Sequence, residues 1–181
     1  MEIENYYNNI KKLDYNLMFN RNNFNIYENN QNIFLLSGIL DVNKDKLIKH
    51  LLDNKQLLEI HSSILEIKEY ANNLRYMKIK LNSKYIDYPL IDRIEFYTTY
   101  KNKNMDFVYS LIKDIPFDIK EKQCLEFVRY IEKGCILTTL KEININSTKI
   151  EIFIAGTDID PILKPAIMKN FVTLLNELRH I

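Results

Sequence analysis

The sequence predicts an α+β domain in which a curved antiparallel β-sheet packs on a long C-terminal α-helix. Between residues 24 and 157, apolar and β-branched runs alternate with short turn sequences such as Ala71-Asn72-Asn73. This alternation is typical of antiparallel strands joined by hairpins. From about Pro161 onward, apolar residues recur at steps of three and four, the spacing of one helix face. The chain has 181 residues, the usual size of one domain, and we expect residues 1–181 to form a single one.

The N-terminal third predicts two helices separated by two strands. Residues 1–22 carry apolar side chains at helical spacing among many asparagines, which indicates an amphipathic helix. Strands are predicted around Phe24 and at 33–40, where Gly38 indicates a bulge or a close backbone approach. A second helix follows and runs to about Ile60, with Asp41 or Asn43 as its N-cap.

The remainder of the chain predicts about seven strands and the long final helix. In the strand after residue 73, Met77 and Ile79 alternate with Tyr76 and Lys78, which predicts one face in the core and the other in water. Residues 115–123 are polar, contain a proline and predict a loop. The final helix should bury an apolar stripe against the sheet, because a bent sheet of this size needs a cover. The predicted strands are 63–70, 74–82, 91–101, 105–113, 124–132, 135–145 and 148–157, and the stripe is Leu163, Ile167, Phe171, Leu174 and Leu178.

Charge and cysteine content argue against several function classes. The net charge is +1 and the lysines are scattered, so the basic footprint of a nucleic-acid-binding protein is missing. The polar, acidic N-terminus does not resemble a signal peptide, and no apolar run approaches the roughly 20 residues of a membrane helix. We therefore expect a cytoplasmic protein with Cys124 and Cys135 as free thiols.

Metal and cofactor sites are not indicated either. His50, His61 and His180 stand far apart, and neither cysteine has a nearby CxxC partner, so we expect surface or helix-flank histidines and no metal. The sequence has three glycines and no phosphate-binding motif, which predicts no nucleotide cofactor.

The charged run at Asp92, Arg93 and Glu95 allows two interpretations. Exposed charges on a strand commonly pair, so Arg93 and Glu95 are expected to form an outward salt bridge. The alternative is an acid–base cluster in an enzyme. Such an enzyme requires a convergent Arg, Tyr or acidic cluster in its pocket, and the sequence shows no clear one. We predict no catalytic residue.

The order of elements resembles that of the START lipid-transfer family and of the wider Bet v 1-like helix-grip superfamily. The resemblance spans about residues 24–181. Its local matches are DRIEF at 92–96, similar to a D-R-D-F stretch of the family, and IAGTDIDP at 154–161, similar to the strand, turn and proline that precede the family's C-terminal helix. EFVRYI at 126–131, followed by Gly134, resembles the strand before a glycine turn. The sequence departs from the family in having no tryptophan.

This resemblance implies a hydrophobic tunnel between the sheet and the C-terminal helix that holds one lipid. In the family, a charged side chain on the Arg93 strand can face the ligand; here the corresponding residues are Tyr97-Thr98-Thr99, so a hydroxyl group is expected instead. Periodicity cannot distinguish a filled core from a lined cavity. If there is a cavity, strand parity predicts which strand residues line it. These are Met77, Ile79, Ile94, Phe96, Thr98, Ile152 and Ile154, and the helix residues above them are Ile167, Met168 and Phe171. Tyr109 and Phe127 are also predicted to bind the ligand, although the parity of their strands is ambiguous.

The function that this implies is binding of a single lipid, a phospholipid rather than a sterol, and its transfer between membranes. Burial of acyl chains is favourable by about 0.8 kcal/mol per methylene, so no covalent chemistry is required. The expected partners are the lipid and, transiently, a membrane. We expect the protein to be a monomer in the cytoplasm that is peripheral at membranes. Residues 115–123 are the expected gate. Two alternatives stay open: an enzyme of the polyketide cyclase or aromatase type that uses the same cavity, and a protein-interaction module with a closed core.

Overall fold

The computed structural model describes residues 2–80, 90–113, 129–131, 134–155 and 164–181. These residues form four α-helices and ten β-strands. The helices are α1 (Glu2–Ile10), α2 (Lys44–Leu52), α3 (Asn54–Ile60) and α4 (Lys164–Glu177), which continues into a 3-10 helix at Leu178–His180. The strands are β1 (Asn16–Arg21), β2 (Phe24–Glu28), β3 (Phe34–Leu40), β4 (Ile64–Ala71), β5 (Leu74–Lys80), β6 (Leu90–Lys101), β7 (Asp106–Lys113), β8 (Arg129–Ile131), β9 (Gly134–Asn144) and β10 (Ser147–Ala155).

All of these strands belong to one sheet, which confirms the predicted α+β class with a C-terminal helix. The strand order is β1-β2-β3-β10-β9-β7-β6-β5-β4, and every neighbouring pair along this path is antiparallel. The short strand β8 lies off the path and pairs in parallel with the first residues of β6. The predicted loop at 115–123, Leu163 and the exact start of the last helix lie outside the described residues.

The inner face of the sheet packs on α4, α2 and α3 and forms the main hydrophobic core. We define it as the face that carries Leu36, Ile152 and Met77, which cluster with α4 side chains. Of the predicted α4 stripe, Ile167, Phe171 and Leu178 are buried and Leu174 is partly buried against the same core. Val172 and Leu175 are buried with them. The predicted packing of the C-terminal helix on the sheet is confirmed for the described part of the helix.

The outer face of the sheet carries α1 and a second, smaller core. Tyr7 and Ile10 of α1 pack on Phe107, Leu137 and Phe153, three strand residues whose side chains point away from α4. The Tyr7 hydroxyl also donates a hydrogen bond of 3.1 Å to the buried carboxylate of Glu151. Because helices cover both faces, apolar residues occur at both parities along the central strands.

The N-terminal region differs from the prediction. The helix ends at Ile10, and Leu17 and Met18, which were predicted to lie on it, are exposed on the edge strand β1. Asn22 and Asn23 adopt φ values of 52° and 65°, and these left-handed conformations form the tight turn between β1 and β2. The predicted helix over 1–22 is therefore wrong beyond Ile10, because the Asn-Asn pair reverses the chain into a hairpin.

The predicted helix through Ile60 is interrupted at Asp53. Asn43 caps α2 as predicted, its side chain accepting from the backbone N–H groups of Asp45 and Lys46. Asp53 ends α2 and in turn caps α3, accepting from the N–H groups of Lys55 and Gln56. The Asp53 side chain thus satisfies the N–H groups that are free at the start of a helix. A new helix can therefore begin at this point in a different direction.

The expectation of a close backbone approach at Gly38 is confirmed. A Cβ atom at this position would clash with the aromatic ring of Phe24, which is fully buried on the neighbouring strand. Glycine is required here because a buried ring occupies the space of the missing side chain.

Candidate functional site

Seven of the twelve predicted ligand-binding residues lie together in the main core. The strand residues among them are Met77, Ile79, Ile152 and Ile154 on the inner face, and the helix residues are Ile167, Met168 and Phe171 of α4. All seven are buried. The structure thus brings them together between the sheet and α4, while their contact with a lipid stays a prediction.

The side of the sheet predicted for β6 is wrong. In the strand register, Ile94 is opposite Tyr76 and Phe96 is opposite Leu74, and Ile94 packs with both of these residues in a cluster separate from the main core. Phe96 is 44% exposed.

The same register places Thr98 and Tyr109 on the outer face. Thr98 is opposite Tyr109, whose ring contacts Tyr6 of α1. Neighbouring residues of a strand point to opposite faces, so an assignment that is wrong by one residue exchanges the two faces. The inner positions of β6 are therefore Glu95, Tyr97 and Thr99. Phe127, the last predicted ligand residue, lies outside the described residues.

The corrected register brings an ion pair into the interior. Arg75 of β5 donates from Nε to a carboxylate oxygen of Glu95 at 2.7 Å, and the two residues are only 5% and 4% exposed. The expected outward pair of Glu95 with Arg93 is therefore wrong, because Glu95 points to the inner face and binds Arg75. The Arg75 guanidinium also lies 4.6 Å from the centroid of the Tyr97 ring, within the range of a cation–π contact.

Arg75 also connects the sheet to the α2–α3 junction. Its Nη1 donates to the carbonyl oxygen of Leu51 at 3.3 Å and to the side-chain oxygen of Asn54 at 3.1 Å. The ion pair thus lies beneath the turn between the two short helices, which cover this end of the inner face.

Hydroxyl groups extend the polar region across the inner face. Ser110 of β7 is opposite Tyr97, and Thr138 of β9 is opposite Val108; both Ser110 and Thr138 are buried. The inner face therefore combines an apolar wall with a stripe of polar side chains that begins at Arg75. The expected hydroxyl groups are present, although they come partly from other strands than predicted.

A cleft of about 430 Å³ lies between α2 and the β6–β7 hairpin. At one side of it, the buried carboxylate of Asp106 forms an ion pair of 2.8 Å with Lys44 at the start of α2. The contact with Asp106 raises the pKa of Lys44, so Lys44 is positively charged at neutral pH. The lining residues are Asp45, Ile48, Lys49, Thr99, Tyr100, Lys101, Asp106, Phe107 and Val108.

The two histidines closest in sequence flank helix ends, which was one of the two expected positions, but they are buried and do not lie on the surface. His50 at the end of α2 and His61 just after α3 are each 1% exposed, and their Nε2 atoms are 3.1 Å apart. His61 Nδ1 lies 3.1 Å from a carboxylate oxygen of Glu177 on α4. The folded arrangement of α2 and α3, rather than sequence proximity, brings them together. Within the described ranges, no group of three or more His, Cys, Asp or Glu residues is placed to hold a metal ion.

The architecture matches solved structures across almost the whole chain. The structure of human StAR-related lipid transfer protein 5 aligns with 99% of this chain and 92% of its own, with a TM-score of 0.71 at 9% sequence identity. The chain has the START, or helix-grip, fold. The lipid transfer and protein localization domain of human StarD13 aligns with 99% of this chain and 94% of its own, with a TM-score of 0.66 at 10% identity.

A bacterial structure shows the same START fold. A STAR-related lipid transfer protein fragment from Xanthomonas axonopodis aligns with 92% of this chain and 97% of its own, with a TM-score of 0.62 at 14% identity. No protein-family model and no curated protein matches the sequence. Among the described residues, no helix is long and apolar enough to cross a membrane.

Proposed function

We propose that the protein binds a single lipid between the inner face of its sheet and α4, and that it transfers this lipid between membranes. The observation that carries the proposal is a predominantly apolar inner face that contains the buried ion pair Arg75–Glu95 beneath the α2–α3 junction. Ligand sites of this kind combine apolar walls with a few polar groups that orient the ligand. The solved structures with this fold include proteins named for lipid transfer, which supports the same function.

The ion pair is more informative about function than about stability. Removing two charges from water costs several kcal/mol per ion, and well-packed apolar residues at the same positions are often as stabilising. Stability alone therefore gives little reason for a charged pair in this core. Contact with the polar part of a ligand is a reason to keep the charged pair, since a buried guanidinium binds an anionic group more strongly than an exposed guanidinium does.

The arginine also favours a phospholipid over a sterol. Among the described residues, its Nε and Nη1 atoms donate to Glu95, Leu51 and Asn54, which leaves the two N–H donors of Nη2 for a ligand. A phosphate group accepts from such charged donors through several oxygens, whereas a sterol offers a single hydroxyl. In this proposal, Arg75 meets the phosphate while the apolar side chains of the inner face and α4 bury the acyl chains. We further propose that residues 1–181 act as one domain and that the protein is a monomer in the cytoplasm, in contact with membranes only during exchange.

The experiment is a transfer assay between two populations of vesicles. Donor vesicles carry a fluorescent phosphatidylcholine or, in a parallel series, a fluorescent sterol, and acceptor vesicles carry a quencher. The proposal predicts that transfer increases with protein concentration and is faster for the phospholipid. Absence of transfer for both lipids would refute transport, and faster transfer of the sterol would refute the lipid class.

The enzyme alternative gains one observation that the sequence did not reveal. Arg75, Glu95 and Tyr97 converge within the interior, so the required cluster of Arg, acid and Tyr is present. A cyclase of the polyketide type would require such groups to polarise a carbonyl and move a proton. Conversion of a poly-β-ketone substrate analogue that is lost in Tyr97→Phe would support this alternative, and lipid transfer that persists in Tyr97→Phe would support the non-catalytic function.

A further inference from the structure

Two buried histidines connect the three helices that cover the inner face. His50 lies in the last turn of α2 and His61 directly follows α3; their rings meet edge to face with Nε2 atoms 3.1 Å apart. Glu177, near the end of α4, accepts from the Ser62 hydroxyl at 2.6 Å and lies 3.1 Å from His61 Nδ1. These contacts hold the α2–α3 pair against the C-terminal end of α4.

The contacts are all satisfied by one arrangement of protons, assigned from the hydrogen-bond network. His61 donates from Nδ1–H to Glu177, so its Nε2 atom carries a lone pair when the ring is neutral. His50 then donates from Nε2–H to that lone pair, which leaves His50 Nδ1 as an acceptor. In the part of the chain that the structure describes, His50 Nδ1 is buried and has no hydrogen-bond partner. This arrangement requires no charge on either histidine.

Acid disrupts this arrangement. When both rings are protonated, both Nε2 atoms carry hydrogen, so the hydrogen bond between the rings becomes a contact between two donors and two like charges. The charged groups nearby are Glu177 from α4, Asp53 from the α2–α3 junction and Arg75 from β5, whose charge is already paired with Glu95. One carboxylate in contact with His61 does not compensate for two buried positive charges.

We propose that His50, His61 and Glu177 form a pH-sensitive latch that closes α2 and α3 on α4 at neutral pH and opens more readily as the pH falls. Opening would bring water to the buried rings and to the α2–α3 end of the inner face. If the protein binds a lipid as proposed above, acid would promote release of that lipid; this consequence rests on the proposed function, whereas the latch itself does not.

The direction of the pH effect follows from the burial of the rings. Burial lowers the pKa of both histidines. The positive charge of His61 lowers the pKa of His50 further, whereas Gln56 and Asp53 raise it. Glu177 raises the pKa of His61 and so offsets part of the effect of burial. A group with a lowered pKa stabilises the closed state above its ordinary pKa of about 6.5, and this stabilisation is lost as the pH falls below that value. If both rings stay neutral when closed, the opening constant rises up to about 100-fold between pH 7.5 and 5.5, or about tenfold for each histidine.

Hydrogen–deuterium exchange of the lipid-free protein at these two pH values tests the latch. After correction for the intrinsic exchange rate, peptides from 44–60 should exchange faster at pH 5.5, by up to about 100-fold, while peptides from β9 and β10 should keep their protection. His50→Gln should reduce this difference to about tenfold, since a glutamine amide can donate to His61 but does not titrate. The exposed third histidine provides the matched control, and His180→Gln should retain the full difference.

Equal protection of 44–60 at both pH values would overturn the proposal, and so would an undiminished difference in His50→Gln. Simultaneous loss of protection in β9 and β10 would also overturn it, because it would indicate acid unfolding of the whole domain. An NMR titration of the unmodified protein does not depend on the folding of any variant: the Cε1–H signals of His50 and His61 should titrate below the ordinary histidine pKa of about 6.5, because both rings are buried. Titration of His50 and His61 at or above that value would contradict the latch.

Discussion

Removal of the buried ion pair is the perturbation with the most distinctive expected result. Glu95→Gln leaves the Arg75 guanidinium charged, 5% exposed and without its carboxylate, which should lower the free energy of unfolding by about 3–5 kcal/mol. Arg75→Met removes the guanidinium that binds the Glu95 carboxylate and should also lower the free energy of unfolding. Since small domains are stable by about 5–15 kcal/mol, either single variant should be substantially weakened.

The double variant Arg75→Met/Glu95→Leu should recover most of this loss. Replacing a buried pair by apolar residues of similar volume is neutral or stabilising by about 1–4 kcal/mol. The carbonyl of Leu51, which Arg75 contacts, then loses a donor, at a cost of about 1–3 kcal/mol. These effects oppose each other and are of similar size, so the double variant should lie within about 3 kcal/mol of the unmodified protein.

Urea unfolding at 25 °C, followed by circular dichroism, measures all four proteins of this cycle. Independent substitutions add within about 0.5 kcal/mol, whereas the buried pair predicts a departure from additivity of several kcal/mol. Additive effects, or single variants that each cost less than about 1 kcal/mol, would show that the two side chains are solvated rather than paired in the core. A stable double variant that no longer transfers phospholipid would further show that the pair serves binding.

Three further experiments test the packing and the faces of the sheet. Gly38→Ala should lower the unfolding free energy by about 1–3 kcal/mol in urea titrations, because the added methyl group meets a buried ring; an unchanged midpoint would contradict the close approach. Leu175→Ala on α4 should cost about 2–5 kcal/mol and its neighbour Asn176→Ala no more than about 0.5 kcal/mol, and equal effects would contradict the assigned helix face. Thr138→Phe on the inner face should prevent lipid uptake from vesicles, whereas Thr98→Phe on the outer face should not; the opposite result would return β6 to the parity expected from sequence.

Much of the fold could be predicted because periodicity and turn chemistry are local. The hairpin of β4 and β5, the hairpin of β6 and β7 and the stripe on α4 all lie close to their predicted positions. What failed was the assignment of faces. Ile94 and Phe96 make the outer parity of β6 the more apolar one, and α1 covers part of that face, so hydrophobicity alone selects the wrong side. Tyr76, predicted to face water, is fully buried for a related reason: it packs with Ile94 on the outer face.

The polar part of the candidate site was missed for different reasons. Arg75 has the same parity as Met77 and Ile79, so strand periodicity did place it on the inner face, but a charge in a strand is ordinarily assigned to solvent. Its partner Glu95 is adjacent only across the β5–β6 register. No sequence signal joins His50 to His61, because their contact depends on the turn at Asp53 and on α4, which comes from the other end of the chain.

Native mass spectrometry of the purified 181-residue chain shows directly whether the protein holds one lipid. It requires no choice of substrate by the experimenter. We expect a folded charge-state distribution with one bound mass of phospholipid size, which organic extraction should release and identify. A compact protein of 21.7 kDa that carries no lipid, even after incubation with phospholipid vesicles, would contradict the account and favour a closed core that serves protein interactions.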